Sequence, residues 1–202
     1  MIQTGQSREV IGMGAKAVAG PSARERLLAA ANELFYAEGV HTVGIDRVIE
    51  KAGVAKASLY NTFGSKDELV RAYLEHRHEV VAARITRYLE RYGTPRERLL
   101  GVLEAQGEIY ADPGFRGCAF AAASAESPGE AVSRATGDYR AWVRGLFTGL
   151  AREAGAANPE KLARQLHMLY DGASLSARTD HDPAISVDAR AAAETLLDAA
   201  CA

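Results

Sequence analysis

The chain has 202 residues, and 48% of them are hydrophobic, which supplies enough apolar side chain for a buried core. Its formal net charge of −2 gives no overall attraction to nucleic acid, so any such binding must come from a local surface. No apolar stretch approaches the roughly 18 residues of a membrane span, and two cysteines, Cys118 and Cys201, are too few for a disulfide framework or a zinc cluster. We therefore expect a cytoplasmic protein with no metal, no cofactor and no membrane contact.

The first segment, residues 1–21, is expected to be a flexible tail, because it has glycines and scattered polar residues where a secretory signal has a basic start and an apolar block. Beyond it, abundant alanine and the lack of alternating apolar and polar runs predict an all-α fold. A Ser or Thr followed three residues later by Glu is typical of a capping box at a helix start. Helix starts are predicted in this way at Ser22, Ser65, Thr94 and Ser127, and from Asn158-Pro159 and Asp182-Pro183.

Three short helices are predicted between Ser22 and Lys66, followed by about six longer ones. The third short helix runs from Lys56 to about Thr62, and the long helix after it ends near Gly93. The second is marked by apolar residues at helical spacing, namely Ile45, Val48, Ile49 and Ala52.

The second and third helices are predicted to form a helix-turn-helix joined through residues 52–55, where a glycine permits the sharp turn. On a wheel of about 100° per residue, Leu59 and Phe63 point inward together. Ala57 and Asn61 lie on the opposite face. A small, polar, donor-rich face suits a helix in the major groove, where Asn can pair with adenine.

Other side chains are expected to hold the DNA phosphates. Lys66 stands in the first turn of the fourth helix and Thr42 stands before the second, where free backbone N–H groups attract anions. Tyr60 can offer its hydroxyl, and such contacts position a protein without reading sequence. The predicted DNA-binding residues are Thr42, Lys56, Ala57, Ser58, Tyr60, Asn61, Thr62 and Lys66.

The run TVGIDRVIEKAGVAKASLYNTFGSKDELV resembles the DNA-binding signature of the TetR family of transcriptional repressors. The resemblance is close from residue 22 to about residue 75, and the segment from Gly117-Cys118 to Glu126 is also similar to one found in many members. It implies a helix-turn-helix DNA-binding domain over residues 22–66 and a helical ligand-binding and dimerisation domain over residues 67–202.

Three residues depart from the family pattern. Ala55 replaces a usual capping serine, which removes a side-chain cap that contributes about 1 kcal/mol. Thr62 replaces an aromatic residue or histidine, and Ile49 replaces a small residue. The motif as a whole is retained.

The last two predicted helices carry apolar stripes that could form a dimer interface. Each stripe alone is more typical of a core, but the family that the chain resembles dimerises through its final pair of helices, which favours a homodimer on double-stranded operator DNA. Two reading helices must then lie roughly 34 Å apart. The stripes are Leu162, Leu166, Leu169, Tyr170 and Ala173 in one helix, and Ala189, Ala193, Leu196, Leu197 and Ala200 in the other.

The middle helices carry aromatic residues that would suit a small apolar or aromatic effector, although aromatics at helical spacing usually fill cores. The resemblance implies that a cavity exists. As a hypothesis, an effector that fills this space would tilt the long fourth helix and move the two DNA-reading helices off their one-turn spacing, which would release the DNA. The candidate ligand-binding residues are Tyr110, Phe115, Phe120, Tyr139, Trp142, Phe147, His167 and Tyr170.

Three alternative functions are open. An enzyme is disfavoured and no catalytic residue is assigned, because the chain has no nucleophile elbow, HExxH or Gly-rich phosphate loop. A redox-responsive regulator would act through Cys118, whose thiolate the nearby Arg116 would favour. A purely structural helical dimer would give no reason for Asn61, Tyr60 and Lys66 to face outward together.

Overall fold

The computed structural model describes residues 20–202, so the tail predicted over residues 1–21 lies outside the described residues except for its last two. The described part forms nine α-helices and no strand, which confirms the all-α prediction. None of these helices combines the length and the apolarity of a membrane span. They are α1 (Ala23–Glu38), α2 (Ile45–Ala52), α3 (Lys56–Phe63), α4 (Lys66–Leu89), α5 (Pro95–Gly107), α6 (Ala119–Glu126), α7 (Glu130–Glu153), α8 (Pro159–Asp180) and α9 (Ile185–Cys201).

Two of the four predicted capping boxes are complete. Ser22 opens α1 and Thr94 opens α5, each with reciprocal hydrogen bonds to a glutamate three residues later. At α4 the Ser65 hydroxyl accepts a hydrogen bond from the Glu68 N–H at 3.1 Å, but the Glu68 carboxylate pairs with Arg71. At each of these three helix starts a side chain therefore satisfies at least one of the first backbone N–H groups.

The helix start predicted at Ser127 is wrong. Helix α7 begins after Gly129, and the Ser127 N–H instead bonds the Ala123 carbonyl at the end of α6. Asn158 does cap α8, through a backbone N–H at 2.9 Å. Helix α9 begins at Ile185, slightly later than predicted.

Helix α4 joins the N-terminal helices to the rest of the chain, because it contacts α1 as well as α5 and α7. In its first half Tyr73 packs edge-on against Phe35 of α1, with ring centroids 5.6 Å apart. The helix ends at Leu89, short of the predicted Gly93. One buried apolar cluster runs from Leu27 to Leu197, so the short helices and the long ones share a continuous core.

The apolar stripes predicted as a dimer interface are largely buried within the chain itself, which corrects that assignment. Helices α8 and α9 pack against each other, and also against α7 and α5. Apolar side chains that are already buried in the core of their own chain are not available to a partner subunit. Other apolar side chains of these helices are exposed, namely Met168 (67%), Leu175 (66%) and Val187 (66%). The stripe residues buried in the core are Leu162, Leu166, Tyr170, Ala173, Ala189, Ala193 and Leu197, whereas Leu169, Leu196 and Ala200 are partly buried.

Candidate DNA-binding surface and effector cavity

The turn between α2 and α3 has the sharp geometry of a helix-turn-helix. Gly53 adopts the left-handed conformation at φ 61°, and its N–H and that of Val54 bond carbonyl oxygens in the last turn of α2. Val54 is half-buried against the core. Helix α3 begins after Ala55, which provides no side-chain cap. The turn and the core therefore position α3 without the usual cap.

The orientation predicted for α3 is confirmed. Leu59 is fully buried and Phe63 is half-buried against the same core. Ala57 and Asn61 are exposed on the opposite face, and Tyr60 remains 44% exposed beside them. The inward pair therefore leaves a side-chain amide and a phenol free to meet another molecule.

Lys56 and Thr62 are already engaged within the protein. The Lys56 ammonium pairs with the Asp46 carboxylate of α2 at 3.0 Å, and this hydrogen bond raises the pKa of Lys56. The Thr62 hydroxyl donates to the carbonyl of Ser58 at 2.6 Å, and the Ser58 side chain is half-buried. Because the Lys56–Asp46 pair is exposed, it is weak and can exchange for a phosphate.

Two candidate phosphate anchors lie at helix starts near α3. Lys66 is the first residue of α4 and is half-buried. Thr42 is exposed in the turn before α2, which begins after Gly44 with no side-chain cap. The first N–H groups of α2 therefore have no side-chain partner at its start and can receive an anion.

A hydrogen-bonded link that the sequence did not predict ties α1 to the loop between α5 and α6. The Tyr36 hydroxyl donates to the Gly117 carbonyl at 3.1 Å and accepts from the Arg116 N–H at 3.0 Å. The Arg77 guanidinium of α4 lies over the Tyr36 ring, 3.9 Å from its centroid. The tyrosine thus joins the DNA-binding helices to the middle of the chain.

A second link joins the far end of α6 to the turn before α2. The Glu126 carboxylate accepts a hydrogen bond from the His41 N–H at 3.1 Å. Gly39 stands directly against it at a φ of +92°, and an added Cβ there would lie 2.5 Å from a Glu126 oxygen. Both ends of α6 therefore contact the N-terminal helices. Only spatial proximity reveals this link, because more than 80 residues separate the partners.

Two adjoining cavities lie among the later helices. The smaller, of about 50 Å³, lies between α4, α5, α7 and α8. The larger, of about 600 Å³, is a mainly apolar cleft between α6, α7 and α8. Cys118, Phe120 and Tyr139 line both cavities and so divide them. The Phe120 and Tyr139 rings stack with centroids 3.9 Å apart.

The predicted aromatic set is brought together only in part. Phe115, Phe120, Tyr139 and Tyr170 line the smaller cavity. Tyr110 lines, with Phe115, a separate open groove beside the α5–α6 loop. The other three predicted residues, Trp142, Phe147 and His167, line none of these spaces. Phe147 is fully buried, and the Trp142 ring packs on His78 with ring centroids 5.0 Å apart.

His167 is buried among the surrounding helices, and Cys118 is half-buried where it lines the two cavities. The His167 ring lies 3.6 Å from the Asp171 carboxylate, and burial lowers the pKa of the histidine. Burial raises the pKa of the Cys118 thiol, which keeps it protonated. Within residues 20–202 no cluster of His, Cys, Asp and Glu is arranged to hold a metal ion.

Three polar residues of the smaller cavity were not singled out from the sequence. Arg77 and Arg84 lie seven residues apart on α4, hence on one face, and Gln106 faces them from α5. Gln106 is only 4% exposed, and its amide N–H donates to the Tyr170 carbonyl at 3.0 Å. Arginine is common on exposed helix faces, so spacing alone could not place these two in a cavity.

Comparison with known proteins identifies the N-terminal helices. The family model of bacterial regulatory proteins of the tetR family matches residues 27–73. A transcriptional activator of the helix-turn-helix type, FasR of Mycolicibacterium smegmatis, is 37% identical over 82 residues, which are 41% of this chain and 37% of that protein. The chain thus matches well under half the length of this curated relative.

Solved structures match over almost the whole described chain. A TetR-family transcriptional regulator from Streptomyces coelicolor is 36% identical with a TM-score of 0.82, covering 89% of this chain and 96% of that one. A putative TetR-type regulator from Streptomyces avermitilis is 37% identical with a TM-score of 0.78, covering 89% and 98%. The chain therefore belongs to the TetR family and is a DNA-binding transcriptional regulator rather than an enzyme.

Proposed function

We propose that this protein is a homodimeric repressor that binds double-stranded operator DNA through α3 and leaves it when a small effector with an apolar or aromatic body enters the cavities beside Cys118. The observation that carries the proposal is the outward face of α3, where buried Leu59 leaves Asn61 and Tyr60 exposed. The DNA-binding unit would comprise residues 22–66. Its proposed contacts are Thr42, Lys56, Ala57, Ser58, Tyr60, Asn61, Thr62 and Lys66.

The contacts of α6 support release by an effector. Gly117 and Cys118 line both cavities, and the Gly117 carbonyl accepts a hydrogen bond from the Tyr36 hydroxyl of α1. Glu126 at the other end of α6 holds the turn before α2. An effector that moves this segment must strain or break these bonds, and it favours release only if it binds the altered arrangement better. The proposed route thus runs through α6 and α1, in addition to α4.

Exposed apolar residues on the last two helices support dimerisation. Met168 and Leu175 lie seven residues apart, hence on one face of α8, and Val187 is similarly exposed on α9. Exposed apolar side chains that lie together in one patch are typical of protein–protein interfaces. We assign the interface to this face, in place of the stripes buried in the core, within a domain over residues 67–202.

Two alternatives to a repressor released by a small effector are an activator of transcription and a regulator that responds to oxidation of Cys118. The relative from Mycolicibacterium smegmatis is named an activator, so the sign of regulation needs its own test. Redox control through Cys118 is less well supported, because burial raises the pKa of its thiol and so lowers the thiolate fraction that reacts with oxidants.

The test begins with selection of bound duplexes from random oligonucleotides by the purified full chain. A two-fold symmetric site with half-sites about one helical turn apart supports the proposal, and enrichment of no sequence would contradict it. The selected site is then placed across a promoter that drives a reporter. Repression by the chain supports a repressor, whereas increased transcription supports the activator alternative. The same binding assay in peroxide and in reductant tests Cys118, because an unchanged affinity excludes redox control.

A further inference from the structure

Two positively charged side chains, Arg77 and Arg84, line the smaller cavity, and one nitrogen atom of each has no hydrogen-bond partner. The Nε atoms of Arg77 and Arg84 are shielded from solvent and make no hydrogen bond. The acidic residue that lines the cavity, Asp171, is already paired with Arg140 at 2.7 Å. No carboxylate of residues 20–202 lies within ion-pair distance of Arg77 or Arg84. A shielded N–H donor without a hydrogen-bond partner is costly, and an anion in the cavity would satisfy both of these donors.

Neutral polar groups near the arginines are also unsatisfied. The Tyr110 hydroxyl, 7% exposed, and the Oε1 atom of Gln106, 4% exposed, have no hydrogen-bond partner. Burial raises the pKa of Tyr170 to about 12 and also raises that of Tyr110. The positive charge of Arg84 opposes both increases, so it acts on both phenol groups. Buried unpaired donors and acceptors of this kind are few in native proteins and call for a ligand or water.

The two cavities differ in size and polarity. A volume of about 50 Å³ takes a carboxylate or one or two waters, but no larger group. The neighbouring cleft of about 600 Å³ is within the usual range for small-molecule sites. The stacked rings of Phe120 and Tyr139 border both spaces, so a molecule that extends from one to the other passes along these rings.

We propose that the effector is an organic acid whose carboxylate binds Arg84, with Arg77 as the second cation, and whose apolar body lies along Phe120 and Tyr139 in the larger cleft. This inference rests on the proposed function, since it names the chemical class of the effector. Arg84 is the primary anchor because the Arg77 guanidinium already lies on the Tyr36 ring. That contact also places the second cation against the Tyr36 link, so a bound carboxylate would act directly on it.

The test uses matched acids and alcohols on the full chain. The probes are 2-naphthoate and decanoate, each compared with its neutral counterpart, 2-naphthylmethanol or decan-1-ol. Trp142 is the single tryptophan, and its ring lies 6.2 Å from that of Tyr139, so its fluorescence reports on the cavity. Isothermal titration calorimetry gives the affinity independently. At least one acid should bind about 10- to 100-fold more tightly than its alcohol, as expected for charge-assisted hydrogen bonds.

Variants of α4 assign the effect to Arg84. Arg84→Gln should remove the preference for the acid and leave the affinity for the alcohol unchanged. Arg84→Lys, which keeps the positive charge, should keep part of the preference for the acid. Arg87→Gln, at an exposed position on the same helix, is the matched control and should bind both probes as the unmodified chain does. Equal affinity for acid and alcohol, a preference that survives Arg84→Gln, or no binding of either acid at millimolar concentration would overturn the proposal.

Operator binding is measured separately, so that the two proposals can fail independently. If the chain binds its selected site and the bound acid leaves that affinity unchanged, the acid is not an effector and this inference fails alone. If the selection yields no site, the proposed function fails, and the fluorescence titration still decides whether Arg84 binds acids. Release of the operator by an acid, with no release by its alcohol, supports both.

Discussion

The Tyr36 hydroxyl is predicted to be a main connection between the DNA-binding helices and the α5–α6 loop. Tyr36→Phe removes a hydrogen bond to the Gly117 carbonyl and another from the Arg116 N–H, at 3.1 and 3.0 Å, while the ring under Arg77 is kept. Each bond contributes about 1 kcal/mol net, so the loss should be about 2 kcal/mol. For a chain of this size the melting temperature should then fall by roughly 4–8 °C.

The assay combines thermal and urea denaturation with amide hydrogen exchange. Exchange should increase in α1 and at residues 115–118, since the removed bonds join these segments. Tyr88→Phe is the matched control, because the Tyr88 hydroxyl makes only a long contact of 3.4 Å with Glu104 and should cost well under 1 kcal/mol. A stability loss no larger than the control's, or exchange unchanged at both segments, would refute the reasoning.

Three further predictions concern the core, the phosphates and the dimer. Leu59→Ala should lower the free energy of unfolding by about 2–5 kcal/mol in urea titrations, because Leu59 is fully buried, and a loss under 1 kcal/mol would contradict its role. Lys66→Ala should weaken binding to all duplexes alike, and it should reduce the slope of log affinity against log salt concentration by about 1. Lys161 is an exposed lysine in the first turn of α8, and Lys161→Ala should change neither quantity. Leu175→Glu should convert the dimer to a monomer in analytical ultracentrifugation, whereas Ala83→Glu, at an exposed position on α4, should leave the dimer intact. A Leu175→Glu variant that remains dimeric would place the interface elsewhere.

Local sequence patterns predicted the helices and the faces of α3 well. Ser22 and Thr94 act through bonds to residues three positions away, so the sequence contains the whole interaction. The same pattern failed at Ser127, because that residue ends α6 and its N–H is already bonded there. The orientation of α3 followed from the spacing of Leu59 and Phe63.

Features that depend on distant partners could not be predicted. A helical stripe such as that of Leu162 and Leu166 is apolar whether it meets its own chain or a second copy, and only packing shows that it fills the core. Arg84 has the same local context as an exposed arginine, and its place in a cavity depends on α5 and α8. The resemblance implied a cavity but did not name the polar residues that line it.

The affinity of the Asn61→Ala variant for every single-base variant of the selected operator tests the central claim most directly. Asn61 is exposed on the face of α3 opposite Leu59, so the account predicts a loss of about 1–3 kcal/mol that is confined to one base pair per half-site, where the variant no longer discriminates between bases. Lys66→Ala, measured on the same duplexes, should show a loss that is equal at all positions. An Asn61→Ala protein that binds every duplex as the unmodified chain does would contradict the assignment of α3 as the reading helix.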